Sequence, residues 1–153
     1  MTKLERQLIQ TFRAARWEES HGKPVCPSCY DSDSVQADPK PRSGPPGLST
    51  YFCRDCRTRL SDVSGTILAG TWRPLLEWAL TLLMTDSPAN WREFGRSLGR
   101  NAQELRRIRR RWEGTTLGPA WTRRLHEAGI TFDTLSQSTR VGTPPSRKER
   151  ATC

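Results

Sequence analysis

The sequence is short of hydrophobic residues and has no long hydrophobic run. Only 34% of its 153 residues are hydrophobic, and the mean hydropathy is −0.73. The longest apolar stretch, residues 78–84, is interrupted by Thr81 and falls well short of the roughly 20 residues that cross a bilayer. We therefore expect no membrane span. We also expect no large apolar core, because small domains with thin cores generally depend on a metal or on disulfides.

The N-terminus lacks the apolar segment of a signal peptide, since it begins MTKLER. This predicts a cytoplasmic protein, in a compartment where structural disulfides are rare. The five cysteines are then better explained as metal ligands than as disulfides, with Cys153 a free thiol. No Ser/His/Asp set, glycine-rich phosphate loop or pair of catalytic carboxylates stands out, so we do not expect an enzyme.

Acidic residues are scarce relative to basic ones. The chain has 16 Asp and Glu against 25 Lys and Arg, which gives a formal net charge of +9. This excess favours a polyanionic partner, with nucleic acid ahead of an anionic membrane. A basic surface that serves only solubility is the alternative, because net charge alone determines neither fold nor ligand.

Four of the cysteines form two Cys-x-x-Cys pairs that are separated by 23 residues. Each pair can turn two thiolates toward one ion, and two pairs give the tetrahedral four-cysteine geometry of structural zinc. We therefore predict one structural Zn²⁺ ion, bound by Cys26, Cys29, Cys53 and Cys56. A redox-active pair and an iron–sulfur cluster are the alternatives, and His21 is a nearby but less favoured ligand.

The hydrophobic pattern divides the chain into four segments. Residues 1–20 have the spacing of an amphipathic helix, whereas residues 21–70 lose it and contain short β-compatible pieces around the cysteines. Helical spacing returns over residues 71–130, and residues 131–153 hold too few apolar side chains to fold alone, which predicts a disordered basic tail. The predicted fold class is α+β, with a small four-cysteine zinc ribbon of short antiparallel strands followed by a helix-turn-helix-like helical bundle. The six tryptophans are better explained as core than as base-stacking platforms.

An arginine-rich segment, residues 102–113, has the pattern of an amphipathic helix. At 100° per residue, Leu105, Ile108 and Trp112 share one face, and Gln103 with three arginines occupies the opposite face. A helix, a short turn with glycine and a second capped helix is the helix-turn-helix pattern. In that motif the second helix enters the major groove, so we predict double-stranded DNA as the partner.

The predicted DNA-binding residues follow from this motif. Glutamine can pair with adenine and arginine with guanine, so the face opposite the apolar stripe is expected to read bases. Arginines outside that face are expected to contact phosphates. A solvated basic face, and binding of RNA or an acidic protein, are the alternatives. The predicted set is Arg92, Arg96, Arg100, Asn101, Gln103, Arg106, Arg107, Arg110 and Arg111.

Taken together, these motifs resemble the transposase zinc-ribbon family, the N-terminal DNA-binding part of certain bacterial insertion-sequence transposases. The similarity covers about residues 17–112. Its motifs stand here as Arg16-Trp17, Cys26-Pro27-Ser28-Cys29, Tyr51-Phe52-Cys53-Arg54-Asp55-Cys56 and Ser64-Gly65-Thr66-Ile67. The resemblance implies zinc on the four cysteines and DNA binding by the ribbon together with the helix-turn-helix.

Two features depart from the family pattern. The first cysteine pair is usually followed by glycine, whereas this chain has Tyr30-Asp31. The family's enzymes also continue into an RNase H-like domain with metal-binding carboxylates, while only three acids follow Glu113, so we expect no strand-transfer activity here. The alternative function is a zinc-ribbon interaction module or transcriptional regulator that docks on RNA polymerase or on a transposase subunit.

Overall fold

The computed structural model describes residues 2–38, 47–69, 73–84 and 88–141. Within these ranges it has six α-helices and one three-stranded sheet, so the α+β class is confirmed. None of the helices in these ranges is both long and apolar enough to cross a membrane. The elements are α1 (Lys3–Arg16), β1 (Val35–Ala37), β2 (Thr50–Cys53), β3 (Arg59–Ser61), α2 (Leu75–Leu83), α3 (Pro88–Leu98), α4 (Ala102–Glu113), α5 (Leu117–Glu127) and α6 (Phe132–Val141).

The three strands form an antiparallel sheet in the order β1-β2-β3. Cys53 at the end of β2 lies opposite Val35 of β1, and Tyr51 lies opposite Leu60 of β3. The predicted antiparallel strands around the cysteines are therefore confirmed. The sheet brings the segment after the first cysteine pair alongside the strand that leads into the second.

Helix α1 begins at a capping box and packs against α5. The Thr2 hydroxyl accepts a hydrogen bond from the Glu5 N–H, and the Glu5 carboxylate accepts one from the Thr2 N–H, which satisfies two otherwise unpaired backbone donors. On the buried side, Phe12 meets Trp121 edge to face with ring centroids 5.0 Å apart. Helix α1 therefore shares a core with the C-terminal helices.

The chain has a larger apolar core than its composition suggests, so the expectation of no large core is wrong. Buried side chains from all six helices form one continuous cluster, which includes Trp78, Trp91, Trp112 and Trp121. A tryptophan buries about 150–250 Å², so a few of them supply the area that many smaller residues would. With Trp17 also buried, the interpretation of the tryptophans as core is confirmed for the described residues; Trp72 lies outside them.

The predicted disorder from residue 131 onward is wrong for the first part of that segment, which forms α6. Leu135 is fully buried, and Phe132 packs edge to face on Phe94 with ring centroids 5.9 Å apart. These two apolar residues are enough to attach α6, because both pack against the core that the other helices form. Gly129, with φ 74°, and Thr131, whose hydroxyl accepts from a backbone N–H of the first turn, mark the turn before α6. Residues 142–153, with Cys153, lie outside the described part.

Candidate metal centre and arginine face

The two cysteine pairs adopt the same backbone turn. In the first, the Tyr30 N–H donates to the Cys26 carbonyl over 2.8 Å, and in the second the Arg57 N–H donates to the Cys53 carbonyl over 2.8 Å. In each turn the first cysteine also donates its own N–H to a carbonyl five residues later, over 3.0 and 2.9 Å. These repeated bonds turn both thiols of each pair to the same side.

The four thiols converge on one point. All four sulfurs of Cys26, Cys29, Cys53 and Cys56 lie within 4.8 Å of one another. Three of the separations are 3.3 Å (Cys26–Cys56), 3.4 Å (Cys29–Cys53) and 3.9 Å (Cys29–Cys56). A tetrahedron with Zn–S bonds of about 2.3 Å has edges of about 3.8 Å, while a disulfide would require about 2.05 Å. The four cysteines therefore lie close enough to hold a metal ion and are not disulfide-bonded.

The cysteine cluster has a buried half and an exposed half. Cys26 and Cys53 are completely buried, whereas Cys29 and Cys56 lie at the surface. The predicted ligand set is thus brought together by the fold. His21, the less favoured candidate, is not part of the cluster that the described residues form.

Hydrogen bonds within the cysteine cluster and with Thr58 shift the pKa values of two thiols in opposite directions. The bond with Cys53 is the main cause that raises the pKa of Cys29 to about 12. The bond with Thr58 is the main cause that lowers the pKa of Cys56 to about 6. Of these two thiols Cys56 is therefore the more readily ionised, and it is the thiolate form that can bind a metal.

A buried carboxylate joins the sheet to α1, and sequence reasoning missed it. One oxygen of Asp62 accepts from Trp17 Nε1 at 3.0 Å and from the Tyr51 hydroxyl at 2.7 Å. The other oxygen accepts from the Ser49 N–H at 2.8 Å and from Arg13 Nε at 2.9 Å. Four donors thus compensate a charge that would otherwise be costly to bury. In the sequence, the only indication that Asp62 is buried is its position within a β-compatible stretch, residues 59–63.

Two neighbours of this carboxylate have shifted acidities. Burial, helped by the hydrogen bond to Asp62, raises the pKa of Tyr51 to about 12. Burial also lowers the pKa of Arg16, and the charge of Asp62 partly opposes this shift. The shift of Tyr51 favours its protonated form, which is the form that donates to Asp62.

The turn between α3 and α4 is built by two glycines and an asparagine. Gly99 has φ 66°, and the Arg100 N–H donates to the Gly95 carbonyl over 2.8 Å, as in a Schellman helix end. A Cβ on Gly95 would lie 2.7 Å from the Arg100 carbonyl oxygen, so only glycine allows this approach. The Asn101 side chain caps α4 by accepting from the N–H groups of its first turn, which confirms the predicted cap.

Helix α4 has the two faces that its sequence predicts. Leu105, Ile108 and Trp112 are buried. The opposite side, here called the arginine face, is exposed to solvent. It consists of Gln103, Arg106, Arg107 and Arg110.

All nine predicted DNA-binding residues are exposed, but two of them have other partners. Arg100 Nε lies 3.4 Å from the Glu77 carboxylate, and the Asn101 side-chain oxygen is occupied by the α4 cap. Glu104, the acid nearest the start of the arginine face, pairs with Arg73. The predicted arginines without an ion pair in the described part of the chain are Arg92, Arg96, Arg106, Arg107, Arg110 and Arg111.

Comparison of this chain with protein-family models, curated proteins and solved structures found no match. The functional assignment therefore depends on the two features just described. The cysteine cluster could hold a metal ion, and the arginine face places three arginines without ion pairs in the described ranges on one side of α4.

Proposed function

We propose that this protein binds one zinc ion and uses α4 to bind double-stranded DNA in the major groove. The observation that carries the proposal is the arginine face: three arginines and a glutamine project from a helix whose other side is locked in the core. An α-helix fits the major groove, where arginine and glutamine side chains can pair with guanine and adenine.

The short connection between α3 and α4 supports this proposal. Three residues, 99–101, separate the two helices, and the turn is closed by the bond from Arg100 to Gly95. A short glycine turn of this kind is typical of helix-turn-helix proteins, in which the first helix crosses the backbone and the second reads bases. Arg92 and Arg96, exposed on α3, would then face phosphates.

The donor set and its spacing support zinc as the ion. Four sulfurs at the spacing of a tetrahedral edge leave no position for a reactive water, which is characteristic of structural rather than catalytic zinc. Bound zinc would hold the two cysteine turns together and so stabilise the sheet. On this proposal the chain corresponds to the DNA-binding region of a transposase, without strand transfer.

The test is equilibrium binding to duplex DNA, with a site selected from a random pool, as a function of salt. Each neutralised phosphate contributes a slope of about −0.9 to log K against log salt, so four phosphate contacts predict about −3.6. Elemental analysis should also find one zinc per chain. A flat salt dependence, or no binding at low salt, would exclude the DNA proposal.

A pair of variants separates base recognition from general charge. Arg107→Ala should lose about 1–3 kcal/mol of affinity at the selected site and relax the preference for one base pair. Arg6→Ala removes the same charge from an exposed position on α1 and should leave the ratio of specific to non-specific affinity unchanged. If both variants weaken all sequences equally, the arginine face does not read bases.

A further inference from the structure

The four side chains of the arginine face follow one another along α4 at positions i, i+3, i+4 and i+7. All four are exposed to solvent, and at about 100° per residue they fall within an arc of about 100° around the helix axis. Helices that lie in the major groove contact successive base edges through residues at this spacing. The arginine face therefore has the arrangement of a base-reading surface as well as its charge.

Two other polar side chains at the start of α4 are engaged within the protein. Pairing with adenine uses the oxygen of an amide side chain, and in Asn101 that oxygen accepts from the N–H groups of Gln103 and Glu104. The Glu104 carboxylate, a group that could accept from cytosine, forms an ion pair with Arg73, whose side chain is only 15% exposed. Gln103 is thus the residue nearest the start of α4 whose side chain is left to pair with a base.

The length of the arginine face matches a short run of base pairs. From Gln103 to Arg110 the helix rises about 10 Å, at about 1.5 Å per residue. Stacked base pairs are about 3.4 Å apart. The face therefore spans about three base-pair steps, which correspond to four base pairs. Its two ends reach the two outer pairs, and Arg106 and Arg107 lie between them.

The residue types along the arginine face determine which bases it can read. A glutamine amide pairs with adenine through two hydrogen bonds, and an arginine guanidinium pairs with O6 and N7 of guanine. None of the three arginines forms an ion pair within the described residues, so each guanidinium is left to meet a base. One glutamine at the end of the face and three arginines after it favour one adenine followed by guanines.

We propose that α4 recognises an element of four base pairs, in which one A·T pair is followed by three G·C pairs. Gln103 contacts the adenine of the first pair, and Arg110 contacts the guanine of the last. Arg106 and Arg107 contact the two middle pairs. The inference rests on the proposed binding of DNA and adds the sequence class of the site.

The first test is the selection of bound duplexes from a random pool by the full chain loaded with zinc. The recovered sites should share one A·T pair beside three consecutive G·C pairs. Replacing the A·T pair by G·C, or the last G·C pair by A·T, should each lower the affinity of the wild type roughly 5- to 150-fold. Recovered sites of another composition overturn the proposal, although binding to DNA would stand.

Variants of the two end residues assign the orientation. Gln103→Ala should lose the preference for A·T at the first pair and keep the preference at the last, and Arg110→Ala should do the reverse. Arg111→Ala removes a charge from an exposed position beside the arginine face, so it is the control and should weaken all sequences by the same factor. Loss of preference at the same base pair in both end variants contradicts the assignment.

A base analogue tests the arginine contacts without changing the protein. Guanine that lacks N7 still pairs with cytosine but offers arginine one acceptor fewer. In the last pair this analogue should weaken binding of the wild type and leave that of Arg110→Ala unchanged, and equal effects on the two proteins overturn the proposal. Failure to bind any duplex, in contrast, excludes DNA binding itself and this inference with it.

Discussion

At the scale of single residues, Asp62 is the one fully buried charged group in the described ranges. Its carboxylate accepts hydrogen bonds from four donors. They are Arg13 of α1, Trp17 directly after α1, Ser49 just before β2 and Tyr51 of β2. The carboxylate thereby connects the sheet to the helical core through directional bonds rather than apolar contact. Breaking such a charged network leaves several donors unpaired at once, which is costly.

Asp62→Asn should lower the free energy of unfolding by about 2–4 kcal/mol. The substitution replaces one accepting oxygen by an NH₂ group, which donates. In either orientation of the amide this group meets two donors, those of Trp17 and Tyr51 or those of Arg13 and Ser49, and no hydrogen bond forms between them. Urea unfolding measures the change. Asp33→Asn, the same chemical change at an exposed position, is the control and should alter the value little; equal effects of the two would contradict the network.

At the scale of elements, the α3–α4 turn decides where the arginine face points. Its geometry depends on Gly95 as well as on Gly99, because a Cβ at position 95 would lie 2.7 Å from the Arg100 carbonyl oxygen and 3.2 Å from the Ala102 nitrogen. A glycine inside a helix ordinarily destabilises it by about 0.5–1 kcal/mol relative to alanine. At position 95 the steric conflict of a Cβ with Arg100 outweighs the higher helix propensity of alanine.

Gly95→Ala should therefore destabilise the protein by about 1–2 kcal/mol, although it raises helix propensity. A methyl group would lie 2.7 Å from the Arg100 carbonyl oxygen and push α4 away from α3. Gly114→Ala is the matched control, since its Cβ would meet only ordinary contact at 3.7 Å and the stability should change by less than about 0.5 kcal/mol. Denaturant midpoints of the two variants measure the difference, and a Gly95→Ala variant as stable as the wild type would refute the close packing.

At the scale of the whole molecule, the sheet and the helical core depend on different forces. The buried residues Cys26, Cys53 and Leu60 lie outside the continuous apolar cluster that the helices form. The sheet is joined to that cluster through Asp62 and through Val63 and Leu68, which belong to it. The packing of the helices therefore does not depend on whether the cysteine turns hold an ion.

Metal removal should therefore be a local event. Chelation, or Cys53→Ser, is expected to remove hydrogen-exchange protection from the β2 amides while most of the helical circular dichroism persists. The physical reason is that metal binding supplies roughly 10 kcal/mol to such small sites, whereas the helices are held by apolar packing. Unchanged protection of β2 without metal would contradict a structural ion, and complete loss of helicity would contradict the independence of the core.

Local structure in this protein followed from the residue pattern without further information. The spacing of apolar residues placed α1 and α4, the β-compatible pieces placed the strands, and Asn101 placed the start of α4, because periodicity and capping act between residues near in the chain. The Cys-x-x-Cys spacing likewise selected the four thiols that the fold brings together. The DNA-binding assignment remains a proposal.

Burial and the pairing of polar groups, in contrast, became apparent only in the folded chain. The composition suggested a thin core, yet a few tryptophans from distant helices pack into a continuous one, and Phe132 and Leu135 order α6 by joining it. The same holds for Asp62, whose donors lie up to 49 residues away, and for Gly95, whose necessity appears only when α4 packs beside it. Contacts between residues far apart in the chain leave no periodic trace in the sequence, and only the folded arrangement reveals them.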